Sequence, residues 1–314
     1  MTGRRIAVLK GGRSFERQVS LVSGGRVEDA LARAGHDVTG IDVGADLVDR
    51  LRAADPEVVF VALHGRDGED GTVQELLEAL GLAYTGPRPA ACALSSDKVL
   101  AKHLMQDAGI PTPDFLAFGE STFKDLGASG ALPQIGDRLH FPVVVKPARG
   151  GSALGVRFAA TPEEVPGALI AALSYDDRVL VERFVRGREL AVSILGGEAL
   201  PVVEAIPSAE DFYDFEARYT IGRTRFVCPA GLDHGVAAEA QRLALRVVDL
   251  LGLQSCARVD LLLDADGALW VLEANAIPGM TETSLLPQAA DAAGLDFDDL
   301  ITRMLADARD PRSR

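Results

Sequence analysis

The chain is poor in cysteine, short of positive charge and free of long apolar runs. Its three cysteines, Cys92, Cys228 and Cys256, show neither metal-ligand spacing nor a disulfide framework. A reducing cytoplasm is therefore the expected compartment. Lys and Arg number 32 against 46 Asp and Glu, a formal net charge of -14. That balance argues against nucleic acid as a partner, although a few local Lys and Arg can still hold a small anion. No apolar run approaches the ~20 residues that span a bilayer, so no membrane association is expected. The segment from Met1 to Leu9 lacks the apolar stretch and cleavage pattern of a signal peptide, and none is expected. Internal repeats are absent. So are the Gly-x-Gly-x-x-Gly dinucleotide loop and the Walker A loop, which counts against a nicotinamide-dependent dehydrogenase and a P-loop enzyme.

What is present suits a protein of two or three domains. The chain has 314 residues, 47% of them hydrophobic, enough for substantial cores. Ile6 to Leu9, Val38 to Val43 and Val58 to Leu63 read as strands. Helices are expected from about Ser20 to Ala34 and Thr72 to Leu80. This alternation implies a parallel sheet, whose ligands bind beyond the carboxyl ends of its strands. Glu16 and His64 both fall there. Pro87 and Pro89 mark a boundary. Ser96 is the expected N-cap of a helix ending before Gly109. A middle unit follows, with strands at 141–147, 156–159 and 178–184. A third unit has strands at 189–195 and 201–206, a polar loop near 207–222 and a helix from about Gly235 to Leu251.

The segment from Arg258 to Asn275 is the most informative. Asp266 and Gly267 between two apolar runs predict a two-residue hairpin turn. Pairing outward from Ala265 with Ala268 sets Asp260 opposite Glu273 and Arg258 opposite Asn275. All four polar groups then share one face, with Val259, Leu261, Leu272 and Ala274 on the other. A three-residue loop would break this arrangement. Such a face is either a solvated salt-bridged surface or a site for a hard cation such as Mg²⁺, which takes oxygen ligands.

Other candidates are weaker singly. The loop from Gly150 to Gly155 could wrap phosphates with backbone N–H groups, although a glycine loop between strands is more often a plain hairpin. Lys146, in mid-strand, favours the functional reading because a buried lysine needs a partner. Lys98 lies near a helix start. Glu182 ends an apolar strand and Glu189 opens one, so both suit hydroxyl or amino groups. Glu16 is a candidate for a substrate ammonium. The segment from Ile277 to Leu285 enters a helix, and its N–H groups and hydroxyls suit a carboxylate.

Taken in order, these segments resemble the D-alanine–D-alanine ligases of the ATP-grasp superfamily along nearly the whole chain. The resemblance rests on Gly11 to Ser20; His64 and Gly65 with Gly68 to Gly71; Ser95 to Lys98; and Val145 to Gly155. It continues through Phe212 to Tyr219, Cys228 to Gly231, Arg258 to Asp260 and Leu272 to Leu285. It implies an α/β (α+β) fold: an N-terminal parallel-sheet α/β domain at 1–90, then antiparallel-sheet α+β domains at 91–186 and 187–314 that sandwich ATP. The implied reaction joins two D-alanines through an acyl phosphate, for peptidoglycan precursors. The resemblance implies phosphate contacts from Lys98, Lys146, Ser152 and Arg218. Glu182 and the Val185 backbone would hold adenine, and Glu189 ribose. Asp260, Glu273 and Asn275 would hold two Mg²⁺, with Mn²⁺ as a substitute. Glu16, with His64 nearby, would take the first D-alanine ammonium, and Ser284 and Leu285 the second carboxylate. Arg258 and the Gly279 N–H would face the oxyanion. Tyr219 would connect through Ser152 to Glu16 and close the loop near 207–222. A homodimer is implied as well. Departures from the family pattern are Gly150, Ala153, Arg218, Ser96 and the pair Ala276 and Ile277. None removes a metal ligand. A relative joining other D-amino or hydroxy acids, or an ATP-binding regulator without catalysis, remains open on sequence grounds.

Overall fold

The computed structural model describes residues 3–127, 130, 132–207, 224–253 and 255–313. The first sheet contains β1 (Arg5–Lys10), β2 (Asp37–Asp42), β3 (Val58–Val61) and β4 (Ala83–Tyr84), all parallel, in the order β2-β1-β3-β4. Helices Arg17–Arg33, Leu47–Ala54 and Thr72–Ala79 connect them. β1 and β3 are buried on both faces, which is why they read as continuous apolar runs.

The second sheet is antiparallel and contains β5 (Phe115–Gly119), β6 (Val143–Pro147), β7 (Arg157–Ala159) and β8 (Arg178–Arg183), ordered β5-β8-β6-β7. Helices Pro133–Leu139 and Val165–Leu173 supply its core, through Ile135, Leu139, Val165 and Leu169 against Val143, Val145, Val179 and Val181.

The third sheet is also antiparallel. It holds β9 (Gly187–Leu195), β10 (Glu198–Ala199), β11 (Val203–Pro207), β12 (Thr224–Val227), β13 (Cys256–Asp264) and β14 (Leu269–Asn275). The order is β12-β11-β9-β13-β14, with β10 beside β9. Helix His234–Leu251 covers one face through Leu243, Val247 and Leu251, which share a continuous core with Val192 and Val259 and with Leu9 and Val61 of the first sheet. The first and third sheets are thus joined by apolar packing, whereas the second has its own core. The cleft of the molecule opens between the second and third sheets.

Two expectations need correction. The cap of helix Lys98–Asp107 is Asp97, not Ser96. Its carboxylate accepts from the N–H groups of Val99 (3.0 Å) and Leu100 (3.1 Å). Ser96 instead ends the preceding helix, Pro89–Ser96, and turns its hydroxyl back to the Ala93 carbonyl at 3.1 Å. A carboxylate outcompetes a hydroxyl for two N–H donors because its acceptor atom carries charge.

The hairpin is the second correction. Its loop has three residues, Ala265, Asp266 and Gly267, between Asp264 and Ala268, whose main chains bond at 3.0 Å. Gly267 takes the left-handed conformation (φ 83°) of the usual three-residue loop. Asp264 secures the loop by accepting from the Asp266 and Ala268 N–H groups and from Trp270 Nε1. Near the loop Leu263 faces Leu269 and Leu261 faces Val271. Beyond it Asp260 faces Glu273 and Arg258 faces Asn275, as expected. The register shifts between Asp260 and Leu261. Leu272 is therefore an extra residue, a β-bulge that offsets the longer loop. It lines the cleft with Leu262 rather than sitting on the opposite face.

The space around Gly267 is open, so only its backbone angle opposes a side chain. Gly267→Ala should cost about 1 kcal/mol and lower the melting temperature by at most a few degrees, with Gly267→Asn costing less. Equal melting temperatures for the glycine and alanine proteins would contradict the left-handed turn.

Candidate functional site

The cleft between the second and third sheets has a volume of about 780 Å³. Its polar lining includes Lys98, Lys146, Glu182, Glu189, Asp260 and Glu273, brought together from six separate elements. Val185, in the link between β8 and β9, and the loop residues Gly150, Gly151 and Ala153 also line it. Val144, Phe184, Leu262 and Leu272 give it apolar walls that no single-residue reading of the sequence singles out.

Charges in the cleft are paired. Glu182 is buried between two ammonium groups: Lys146 Nζ lies 2.5 Å from Oε2, and Lys102 Nζ bonds Oε1. Lys102 is fully buried and also bonds the Thr112 hydroxyl, which donates to the Val271 carbonyl at 2.8 Å. Burial works to raise the Glu182 pKa, but the two lysines outweigh it and the net displacement is downward. Burial also pushes the Lys102 ammonium down to about 8, against the attraction of Glu182. Lys98 Nζ bonds the Gly150 carbonyl at 2.5 Å and lies 3.3 Å from Glu273, tying the glycine loop to β14. On β13 the Arg258 guanidinium spans both oxygens of Asp260 at 2.6 and 2.9 Å, and Asn275 Nδ2 reaches the same carboxylate at 3.4 Å.

A smaller pocket adjoins the cleft. Glu16, His64, Glu69, Ser152, Arg258, Asn275, Gly279, Ser284 and Leu285 line it, and Gly151 and Leu285 border both cavities. Glu16 is buried and bonded to the Ser152 hydroxyl. Gly65 permits the approach of Glu16, since a Cβ there would lie 2.6 Å from Oε2. Burial first, then repulsion from Glu69, raises the Glu16 pKa; the Ser152 hydrogen bond, His64 and Lys98 oppose this. Ser152 and Ala153 both hold left-handed conformations (φ 54° and 56°). Strained residues of this kind persist where surrounding contacts over-determine them, often at ligand sites. Ser284 precedes helix Leu285–Ala292, so its neighbours' N–H groups face the pocket end of that helix.

Every expected site residue that the structure describes is therefore at one of these two cavities. Arg218 and Tyr219 lie outside the described residues. Among the described residues no cluster of three or more His, Cys, Asp or Glu suits a metal. The expected set, two carboxylates and an amide, contains only two such residues.

Comparison with known proteins identifies the family. The family model for the D-ala D-ala ligase C-terminus matches residues 104–306, and that for the N-terminus matches 44–87. The chain belongs to the D-alanine–D-alanine ligase family. A D-alanine–D-alanine ligase of Syntrophotalea carbinolica is 44% identical over 97% of this chain and 96% of its own. A crystal structure of the ligase from Bacillus anthracis matches with TM-score 0.84 and 32% identity over 97% of both chains. The same enzyme complexed with ATP matches with TM-score 0.82 and 31% identity, again over 97% of both chains.

The principal member of the charged group at this cleft that sequence reasoning missed is Lys102. Its signal was available, because it stands one helical turn after Lys98 and so shares its face. Glu182→Gln would leave two buried ammonium groups without a full counter-charge. It should cost about 3 kcal/mol at pH 7. Lys102 sheds its proton near pH 8 when folded and 10.5 when unfolded, so between these values the unfolded state binds more protons and this group makes stability rise with pH. Losing Glu182 lowers the folded value further and widens that window. Denaturation measured from pH 7 to 10 should show a steeper recovery in the variant; parallel curves would remove the ion-pair assignment.

Proposed function

We propose that the protein joins two D-alanine molecules to D-alanyl-D-alanine while converting ATP to ADP and phosphate. The observation that carries this reading is the adjacency of the two cavities. A nucleotide-sized cleft with paired lysines and carboxylates shares Gly151 and Leu285 with a small polar pocket suited to amino acids. A matched relative has been solved complexed with ATP.

In this reading Lys98 and Lys146 hold phosphates, with Ser152 at the glycine loop. Glu182 and the Val185 backbone take adenine, and Glu189 takes ribose. Glu16 pairs with the ammonium of the first D-alanine, next to His64. The carboxylate of that first D-alanine takes the terminal phosphoryl group of ATP, releasing ADP and giving an acyl phosphate. The amine of the second D-alanine attacks that carbonyl, loses a proton and displaces phosphate. Arg258 and the Gly279 N–H stabilise the oxyanion, and the N–H groups of Ser284 and Leu285 hold the second carboxylate. The protein contributes positioning and charge neutralisation rather than a nucleophile of its own.

The donor set on β13 and β14 fits a hard cation. Asp260, Glu273 and Asn275 present oxygens on one face, and the carboxylate charge is met by Arg258 and Lys98. These residues would hold two Mg²⁺, or Mn²⁺, with ATP. When bound, such ions neutralise phosphate charge and polarise phosphoryl oxygen. A cytoplasmic homodimer of three units, 1–90, 91–186 and 187–314, completes the reading. The three separate sheets support the division into units, and no described helix is long and apolar enough to cross a membrane.

The direct test is ADP release from ATP with D-alanine, L-alanine and D-lactate in turn, with products separated. D-alanine-dependent ADP and dipeptide are expected; no D-alanine dependence refutes the proposal. Glu273→Gln should cut ligation by about 100-fold or more with the fold intact. Near-normal rates at ordinary Mg²⁺ would exclude the metal role. Glu16 gives a pH signature. Its raised pKa means that it is protonated in acid and cannot pair with an ammonium, so the D-alanine requirement should fall as pH rises towards neutral. Glu16→Gln should raise that requirement and flatten its pH dependence; an unchanged profile would assign the ammonium elsewhere.

A further inference from the structure

Helix Arg17–Arg33 pairs with helix Phe297–Ala306 through Arg33 and Asp298, and it also holds a residue outside that helix, Met280. The Met280 N–H donates to the Ser23 hydroxyl at 3.1 Å. Arg26, three residues further along the same helix face, donates to the Met280 carbonyl. Both polar groups of one residue's main chain are thus gripped by a single helical turn, across more than 250 residues of sequence. Neither gripping side chain is loose. Ser23 is completely buried, and its hydroxyl also lies 2.9 Å from His64 Nε2. The Arg26 guanidinium sits 4.2 Å over the ring of Phe297, at the start of helix Phe297–Ala306.

The position of Met280 gives this grip its consequence. One side is Gly279. The other is Thr281, whose N–H and hydroxyl both contact the Ser284 hydroxyl, at 3.0 and 2.8 Å. The Ser23 hydroxyl therefore stands between His64, in the pocket with Glu16, and the segment that carries Gly279, Ser284 and Leu285 into the same pocket. Removing a buried hydroxyl that serves two partners leaves both unsatisfied, and the segment can shift.

We infer that Ser23 and Arg26 are positioning residues that clasp the 279–285 segment to the His64 side of the pocket, fixing the second amino acid relative to the first. This rests on the ligase reading above. Neither residue touches the nucleotide cleft, so the clasp acts on how the two amino acids are placed and not on ATP binding. A misplacement of about 1 Å at a reacting centre is enough to cost 100-fold in rate. A second amine held off-line gives water time to attack the acyl phosphate. That attack returns D-alanine and phosphate, so ADP accumulates without dipeptide.

The test uses the full chain with Ser23→Ala, Arg26→Met and Arg26→Lys. ADP and dipeptide are both quantified across D-alanine concentration, and the KM for ATP is measured alongside. Ser23→Ala and Arg26→Met should raise the KM for the second D-alanine by about tenfold and the ADP-to-dipeptide ratio by about threefold or more, with the KM for ATP unchanged. Arg26→Lys, which can still donate to the carbonyl, should recover part of the coupling. The ratio is independent of how much protein is folded, so a merely structural role does not move it. Variants that lose activity with wild-type KM and ratio, or that fail to fold at all, overturn the clasp while a dipeptide-forming wild type keeps the ligase reading. A wild-type chain with no D-alanine-dependent ADP release overturns both.

Discussion

One extra residue in β14 decides which face the cleft chemistry occupies. Side chains alternate along a strand, so a register change of one residue sends every polar group to the other side of the sheet. The three-residue loop at 265–267 introduces such a change, and the bulge at Leu272 cancels it. Without the bulge Glu273 and Asn275 would sit with Val259 in the apolar core. With it they join Arg258 and Asp260 on the open face. Leu272 itself becomes part of the wall of the cleft. Bulges concentrate next to active sites because they re-aim side chains at small structural cost.

Around that face the protein concentrates positive charge in a chain whose net charge is -14. Lys98 and Lys102 come from successive turns of one helix, whose first turn is fixed by Asp97, and Lys146 from β6. Each has a carboxylate partner: Glu273 for Lys98, and Glu182 for the other two. Buried ammonium groups without partners would lose their protons, so the carboxylates preserve charge in the cleft. These lysines can meet an anionic ligand in a protein whose overall charge is acidic.

Packing explains why the site sits at a seam. The first and third sheets share two apolar clusters, and the one that contains Met280 also takes in Val27 and Leu31 of the N-terminal helix, so that helix can hold Met280 through Ser23 and Arg26. The second sheet packs on its own helices and meets the rest through a small apolar cluster, Val99 with Ala148 and Leu180, and through polar contacts: Glu182 with Lys102, Lys98 with Gly150, and Ser152 with Glu16. An interface built of such contacts leaves space that a ligand can complete.

Much of this protein was legible in its residues. Period-two and apolar-run patterns gave most of the strands, though not β4, β5 or β10, because burial on one face or both imposes them on the sequence itself. The pairing of Asp260 with Glu273 was readable too, although by a two-residue turn that the chain does not make. Two offsetting irregularities, a longer loop and a bulge, led to the same pairs. The order of motifs pointed to the family, and the family models match. The remaining features depended on distance in sequence. Lys102 looks like any helix-surface lysine until β8 brings Glu182 to it from 80 residues away. Ser23 looks like a small helix residue until Met280 arrives from 257 residues away. Local pattern reports what a side chain prefers, burial or water. Which partner meets a buried polar group is decided only when sheets and helices pack, because that partner comes from elsewhere in the chain.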